Sequence, residues 1–141
     1  MEVIATGEEI LKYIPQRAPM VMVSDLHHAD EKSALTGLRI EDQNLFVDHS
    51  LFTEPGIVEH IAQSIALQAG YGFIKAGKNV PVGYIAAVKN LTINYLPEVN
   101  QELTTRVEVI NNVMNVVLVS AEVKCHDQQV ATCEMRVFIK E

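Results

Sequence analysis

Glu59 and Gln63 stand four residues apart in a stretch, Pro55 to Ala69, that contains no lysine or arginine. In a helix that spacing puts both side chains on one face. A carboxylate inside an otherwise apolar helix is expensive unless it is paired or neutral, so its presence suggests proton transfer. Help from the helix dipole is the plainer account, but Glu59 lies beyond the first turn, where that benefit fades. Beyond Gln63 the face continues into Ala66 and Gly70, small residues that would leave a groove for a ligand. His49, in Phe46-Val47-Asp48-His49-Ser50, is a second candidate for acid–base work near neutral pH; a solvent-facing loop histidine fits the same residues equally well. His60 follows Glu59 directly and so points about 100° away around the helix. It is expected to stay outside the site and, like His27, His28 and His126, to lie at the surface.

No two of the five histidines have metal-ligand spacing, so no metal site is expected. The chain contains no GxSxG, no GxGxxG and no phosphate loop, which leaves covalent catalysis without a nucleophile and predicts no cofactor.

The element that must position Glu59 is a long helix. Pro55 suits its first turn, and Ile57, Val58, Ile61, Ala62, Ile65, Ala66, Leu67 and Ala69 cover nearly every face, so it should be buried all round. Gly77 should end it, and Lys75 and Lys78 suit the negative end of its dipole. Before it, the spacing predicts a short helix over Thr6–Ile14, opened by a Thr6/Glu9 capping box and stopped by Pro15 and Pro19. Met20–Val23 reads as a buried strand, Asp25–Lys32 as a polar turn and Ser33–Glu41 as a strand. Residues 44–53 are irregular. After the helix come four strands rich in Val, Ile and Thr: Val82–Asn94, Glu102–Asn111, Val113–Cys125 and Gln129–Ile139, with hairpin turns at Asn111-Asn112 and Asp127-Gln128. One all-apolar helix among strands belongs against the concave face of a curved antiparallel sheet, an α+β arrangement.

Length and charge bound the rest. A chain of 141 residues is one domain, 1–141. The net charge of −7 argues against nucleic acid and against anionic membrane as partners. No apolar run is long enough to span a bilayer, and Met1–Glu9 does not resemble a signal peptide. Cys125 and Cys133 cannot form a disulfide framework and are expected as thiols in a reducing, cytoplasmic setting.

Three segments resemble the hotdog-fold 3-hydroxyacyl-[acyl-carrier-protein] dehydratases of bacterial fatty-acid synthesis. Ile14-Pro15-Gln16-Arg17-Ala18-Pro19-Met20-Val21-Met22-Val23 is similar to the family's opening, IPHRyPfLLVD. Pro55-Gly56-Ile57-Val58-Glu59-His60-Ile61-Ala62-Gln63 resembles PGVlxiEAMAQ, and Tyr84–Ile93 followed by Leu96-Pro97 resembles YfaGIdnarF and the turn after it. The Pro-Met and Ile-Ala-Gln variants look most like the divergent branch found with aryl-polyene pigment clusters. The histidine motif departs: the family histidine sits eight residues before the Pro-Gly proline, whereas His49 is six before Pro55.

The resemblance implies a hotdog fold and a dimer, in which histidine and acid come from different protomers. It implies His49 and Glu59 as catalytic residues, Gly56 or Ile57 as backbone donor to the thioester oxygen, and Gln63, beside Glu59, as a further substrate-binding residue. The implied substrate is a 3-hydroxyacyl thioester on the 4′-phosphopantetheine of acyl-carrier protein, dehydrated to the trans-2-enoyl form in fatty-acid or polyene-type lipid biosynthesis. Two alternatives stand beside it. One is a non-catalytic or half-catalytic subunit of a heterodimeric dehydratase, favoured by the contracted loop before Pro55. The other is a hotdog acyl thioesterase. Lys12, Arg17, Lys75 and Lys78 offer a local basic patch for an acidic carrier.

Overall fold

The computed structural model describes residues 3–140; Met1, Glu2 and Glu141, the ends of the expected domain, lie outside the described residues. A seven-stranded antiparallel sheet carries one long helix on one face. In chain order the strands are β1 (Ala5–Thr6), β2 (Asp25–Ala29), β3 (Ser33–Arg39), β4 (Val47–Asp48), β5 (Leu51–Phe52), β6 (Val82–Ile93), β7 (Glu102–Val113), β8 (Val116–Cys125) and β9 (Gln128–Lys140); helix α1 is Glu54–Lys75. The sheet order is β1-β2-β3-β7-β8-β9-β6, and β4-β5 form a separate hairpin.

Period-2 alternation builds the face that meets the helix. Leu103, Thr105 and Val107 of β7, Val119, Ala121 and Val123 of β8, and Cys133, Met135 and Val137 of β9 are buried, with more exposed residues between them. Ile57, Ile61, Ile65 and Leu67 of α1 close the same core. Gly77 ends the helix as expected: its φ is 77°, and the Lys78 N–H reaches back to the Phe73 carbonyl.

Several expectations are corrected. Met20–Val23 is not a strand, because α1 side chains take its backbone groups in place of a sheet partner. The strand is β2, inside the supposed polar turn, where Leu26 is fully buried and pairs with Thr36. Only residues 30–32 turn. There the Asp30 carboxylate meets the His28 ring and accepts the Lys32 and Ser33 N–H groups, all of which hold its carboxyl well below the usual range. The first helix is a six-residue 3-10 turn, Gly7–Lys12, with Glu9 accepting the Thr6 N–H while the Thr6 hydroxyl goes to Asp25. The β7–β8 ladder runs to Val113 opposite Val116, so the turn is Met114-Asn115; the next turn is His126-Asp127. All four turn residues have positive φ, as two-residue hairpin turns require.

A candidate active site between the helix and strand β6

Glu59 reaches a narrow cavity of about 250 Å³ between α1 and β6. Ala62, Ala66 and Ala69 form its helix wall, and Gly83 and Ile85 of β6 face them. Pro15 and Gln16 close one side. Glu59 is half-buried, and its Oε2 accepts a hydrogen bond from Gln63 Nε2 at 2.7 Å. Among the described residues, Oε1 has no partner. The site therefore presents one carboxyl oxygen, held from behind, at the end of an apolar channel. That geometry suits giving or taking one proton at a largely apolar wall.

The structure brings Glu59 and Gln63 together as their spacing predicts. Gln63 is not free to bind substrate, however. Its Oε1 accepts the Met22 N–H at 2.6 Å, and its Nε2 donates to the Met20 carbonyl as well as to Glu59. Every hydrogen-bonding group of the amide is thus engaged within the chain.

His49 does not line this cavity. It sits at the tip of the β4–β5 hairpin with φ 51°, beside Ser50 at φ 65°. Its side chain is 92% exposed, with Nδ1 2.9 Å from Asp48 Oδ1. The hairpin under it is firmly held: Phe52 N–H donates to Pro97 O, Val99 N–H to Ser50 O, and Thr53 bonds Phe46 O twice.

Of Gly56 and Ile57, one of which is expected as the backbone donor, Ile57 does not offer a free N–H. The Ile57 N–H is already given to the Thr53 carbonyl at 3.1 Å, and Ile57 is fully buried. Gly56 is a glycine for packing. A Cβ there would lie 2.6 Å from Phe52 Cε1 and 2.7 Å from Phe46 Cβ, so aromatic side chains fill the space that any larger residue would need.

His60 corrects a surface expectation. It is fully buried; Nδ1 lies 2.7 Å from the Met22 carbonyl and Nε2 2.7 Å from Thr105 Oγ1. Burial pushes its pKa down to about 4, partly opposed by the Met22 carbonyl. Gln16 was not singled out from sequence. Its Oε1 is buried without a hydrogen-bond partner among the described residues, at the wall of the Glu59 cavity. Its place between Pro15 and Arg17, inside the opening segment of the resemblance, was the available clue.

Comparison with known proteins places the chain in a family and a fold. The family described as ApeP dehydratase (ApeP-like) matches residues 8–141. The chain belongs to the ApeP dehydratase family. A chain of the dehydratase heterocomplex ApeI:P from Xenorhabdus doucetiae superposes with a TM-score of 0.87 at 12% identity, covering 94% of this chain and 91% of that one. The PaaI protein of the E. coli phenylacetic acid degradation operon gives 0.65 at 12% identity, covering 80% of each. A hypothetical thioesterase with coenzyme A from Streptococcus pneumoniae TIGR4 gives 0.65 at 9% identity, covering 82% of this chain and 84% of that one. Among curated proteins none matches the sequence. The fold is the hotdog fold, as the resemblance implies.

Two further features of this ApeP-like chain bear on partners. Strand β6 pairs with β9 on one side only, and it exposes Tyr84, Ile85, Val88 and Leu91. A long apolar edge of this kind is a template for another chain. At the C-terminal end of α1, the Tyr13 and Tyr71 rings meet at 5.4 Å, tilted by 54°, with Lys12 and Lys75 over them, while Lys78 lies over Phe73. The depression beside Lys75 and Lys78 also contains Asp30 and Glu31, so its charge is mixed. Arg17 is turned to the Ile14 and Gln16 carbonyls. Among the described residues no helix is long and apolar enough to cross a membrane, and no cluster of His, Cys, Asp and Glu could hold a metal.

Proposed function

We propose that this chain supplies the acid half of a dehydratase site for 3-hydroxyacyl thioesters carried on acyl-carrier protein, and that a second hotdog subunit completes the site along β6. One observation carries the reading. Glu59 is held by Gln63 at an apolar cavity that no histidine of the same chain lines. The base must then arrive from another subunit: a histidine of a related hotdog chain, or His49 of a second copy, which stands exposed on a rigid hairpin. The heterocomplex among the similar structures supports the first source.

In the reaction the base removes the α proton of the thioester. The bond from the β carbon to its hydroxyl breaks, and the hydroxyl leaves as water with the proton of Glu59. The electron pair of the broken C–H bond becomes the new double bond. Gln16 Oε1, buried and unpartnered, is placed to accept a hydrogen bond from the substrate. Lys12, Lys75 and Lys78 are the cations available to an acidic carrier.

The test supplies a 3-hydroxyacyl carrier-protein thioester to the chain alone and to the chain co-purified with a related hotdog subunit. Enoyl product only with the partner supports the half-site. Glu59→Gln should lower turnover about a hundredfold or more. Product from the chain alone that vanishes in His49→Ala assigns the base to a second copy. Free acid in place of enoyl product would make the protein a thioesterase.

A further inference from the structure

His60, Gln63 and Ser64 are fully buried polar residues on one turn of α1. Such groups cost stability unless every bond is made. Here each is made, and the bonds run in one direction. The Met22 carbonyl can only accept, so the proton of His60 sits on Nδ1. Nε2 of the neutral ring then accepts the Thr105 hydroxyl proton from β7. Met22 N–H donates to Gln63 Oε1, which leaves both Gln63 amide hydrogens for Met20 O and Glu59 Oε2. A flipped amide would set oxygen against oxygen at Met20 and Glu59, and N–H against N–H at Met22. The amide has one orientation.

We propose that His60 is a positioning residue for Glu59: by clamping the Met22 carbonyl it fixes the Gln63 amide, which occupies Glu59 Oε2 and leaves Oε1 as the oxygen that exchanges a proton in the cavity. The proposal rests on Glu59 acting as the acid. Attachment of the helix to the sheet does not require His60, because the Ser64–Thr36 hydroxyl pair already bonds α1 to β3 at 2.8 Å. What His60 alone does is hold the Met22 carbonyl, while Gln63, one turn further along, holds the Met22 N–H.

The experiment uses the full chain, with its partner subunit for turnover. His60→Leu removes both ring bonds, and His60→Asn keeps a donor toward Met22. The first readout, which needs no activity, is hydrogen exchange of the Gln63 side-chain amide by NMR. In His60→Leu it should accelerate at least about tenfold and return toward wild type in His60→Asn. The second is kinetic: kcat should fall about ten- to a hundredfold in His60→Leu with KM nearly unchanged, and His60→Asn should recover most of it. Unchanged Gln63 exchange in folded His60→Leu overturns the proposal, as does a change confined to KM. If His60→Leu does not fold, Thr105→Val decides the same points, since it removes the hydroxyl that fixes the ring. If Glu59→Gln leaves dehydration intact, the acid reading falls on that result alone, and Gln63 exchange still reports whether His60 holds the amide.

Discussion

Acid should destabilise this protein in a window set by His60. The ring is fully buried and neutral, with a pKa near 4 in the folded chain against 6.5 when exposed. Below 6.5 the unfolded chain binds a proton that the folded chain refuses. Stability is therefore intact above about pH 6.5 and falls as pH drops toward 4, by at most about 1.4 kcal/mol per pH unit. Integrated from pH 7 to pH 5, the loss is about 2 kcal/mol, a large part of an ordinary domain's margin. The carboxyl of Asp30, also depressed, gives up its share only at lower pH, below the ordinary carboxylate range, and does not enter this window. The assay is urea unfolding at half-unit steps from pH 7 to pH 5, wild type against His60→Asn. The wild-type midpoint should decline, and the variant, which has nothing to protonate at this position, should decline less by the same 2 kcal/mol or so. Parallel curves would refute the reasoning, because they would mean that the ring titrates alike in both states.

Alanine at two helical glycines should act in opposite directions. A Cβ on Gly70 would sit 1.8 Å from the Tyr13 carbonyl oxygen, so Gly70→Ala should lower the unfolding free energy by about 2 kcal/mol or more despite alanine's better helix propensity. Gly72 has nothing within 4 Å of that position, and Gly72→Ala should raise stability by up to about 1 kcal/mol in the same denaturation assay. Burial pushes the Cys133 thiol up to about 11 and the Cys125 thiol upward too, so neither should react with Ellman's reagent at pH 8 until denaturant is added. Replacing both Tyr84 and Leu91 on β6 by lysine should leave the thermal midpoint of the isolated chain nearly unchanged and weaken co-purification with a hotdog partner; unchanged co-purification would free β6 from that role.

The helix and the four strands after it are legible because their residues state their environment. The apolar residues of Pro55–Lys75 bury one face of the helix, though not every side as expected, since Ala62, Ala66 and Ala69 are half-buried and Gly72, Ile74 and Lys75 are exposed; the Val, Ile and Thr of β7 to β9 alternate to match that buried face. The segments whose structure differs from the expectation lack such a pattern of their own. Met20–Val23 has a strand's composition but spends its backbone on Gln63 and His60, a tertiary bond set that local propensity does not contain. Asp25–Ala29 has a turn's polarity, yet one buried leucine and the register with β3 make it a strand.

His60 shows most clearly what a sequence can and cannot say about a site. Its ring points away from Glu59, as one step of about 100° around the helix requires. It points to the core and not to water, because Ile57, Ile61 and Ser64 on that side of the helix are themselves buried. A histidine there has to face the core, and a core histidine has to find partners for both nitrogens. Those partners, Met22 and Thr105, lie on two other elements, and through Met22 the ring reaches the same glutamine that holds Glu59. His49 is the converse case. Its side chain is as exposed as a loop residue's can be, on a two-residue turn held in place by the backbone beneath it. Glu59 is held from inside its own helix by Gln63, whereas no histidine lines its cavity, and it is on this placement of the histidines that the proposed division of the site between two chains rests.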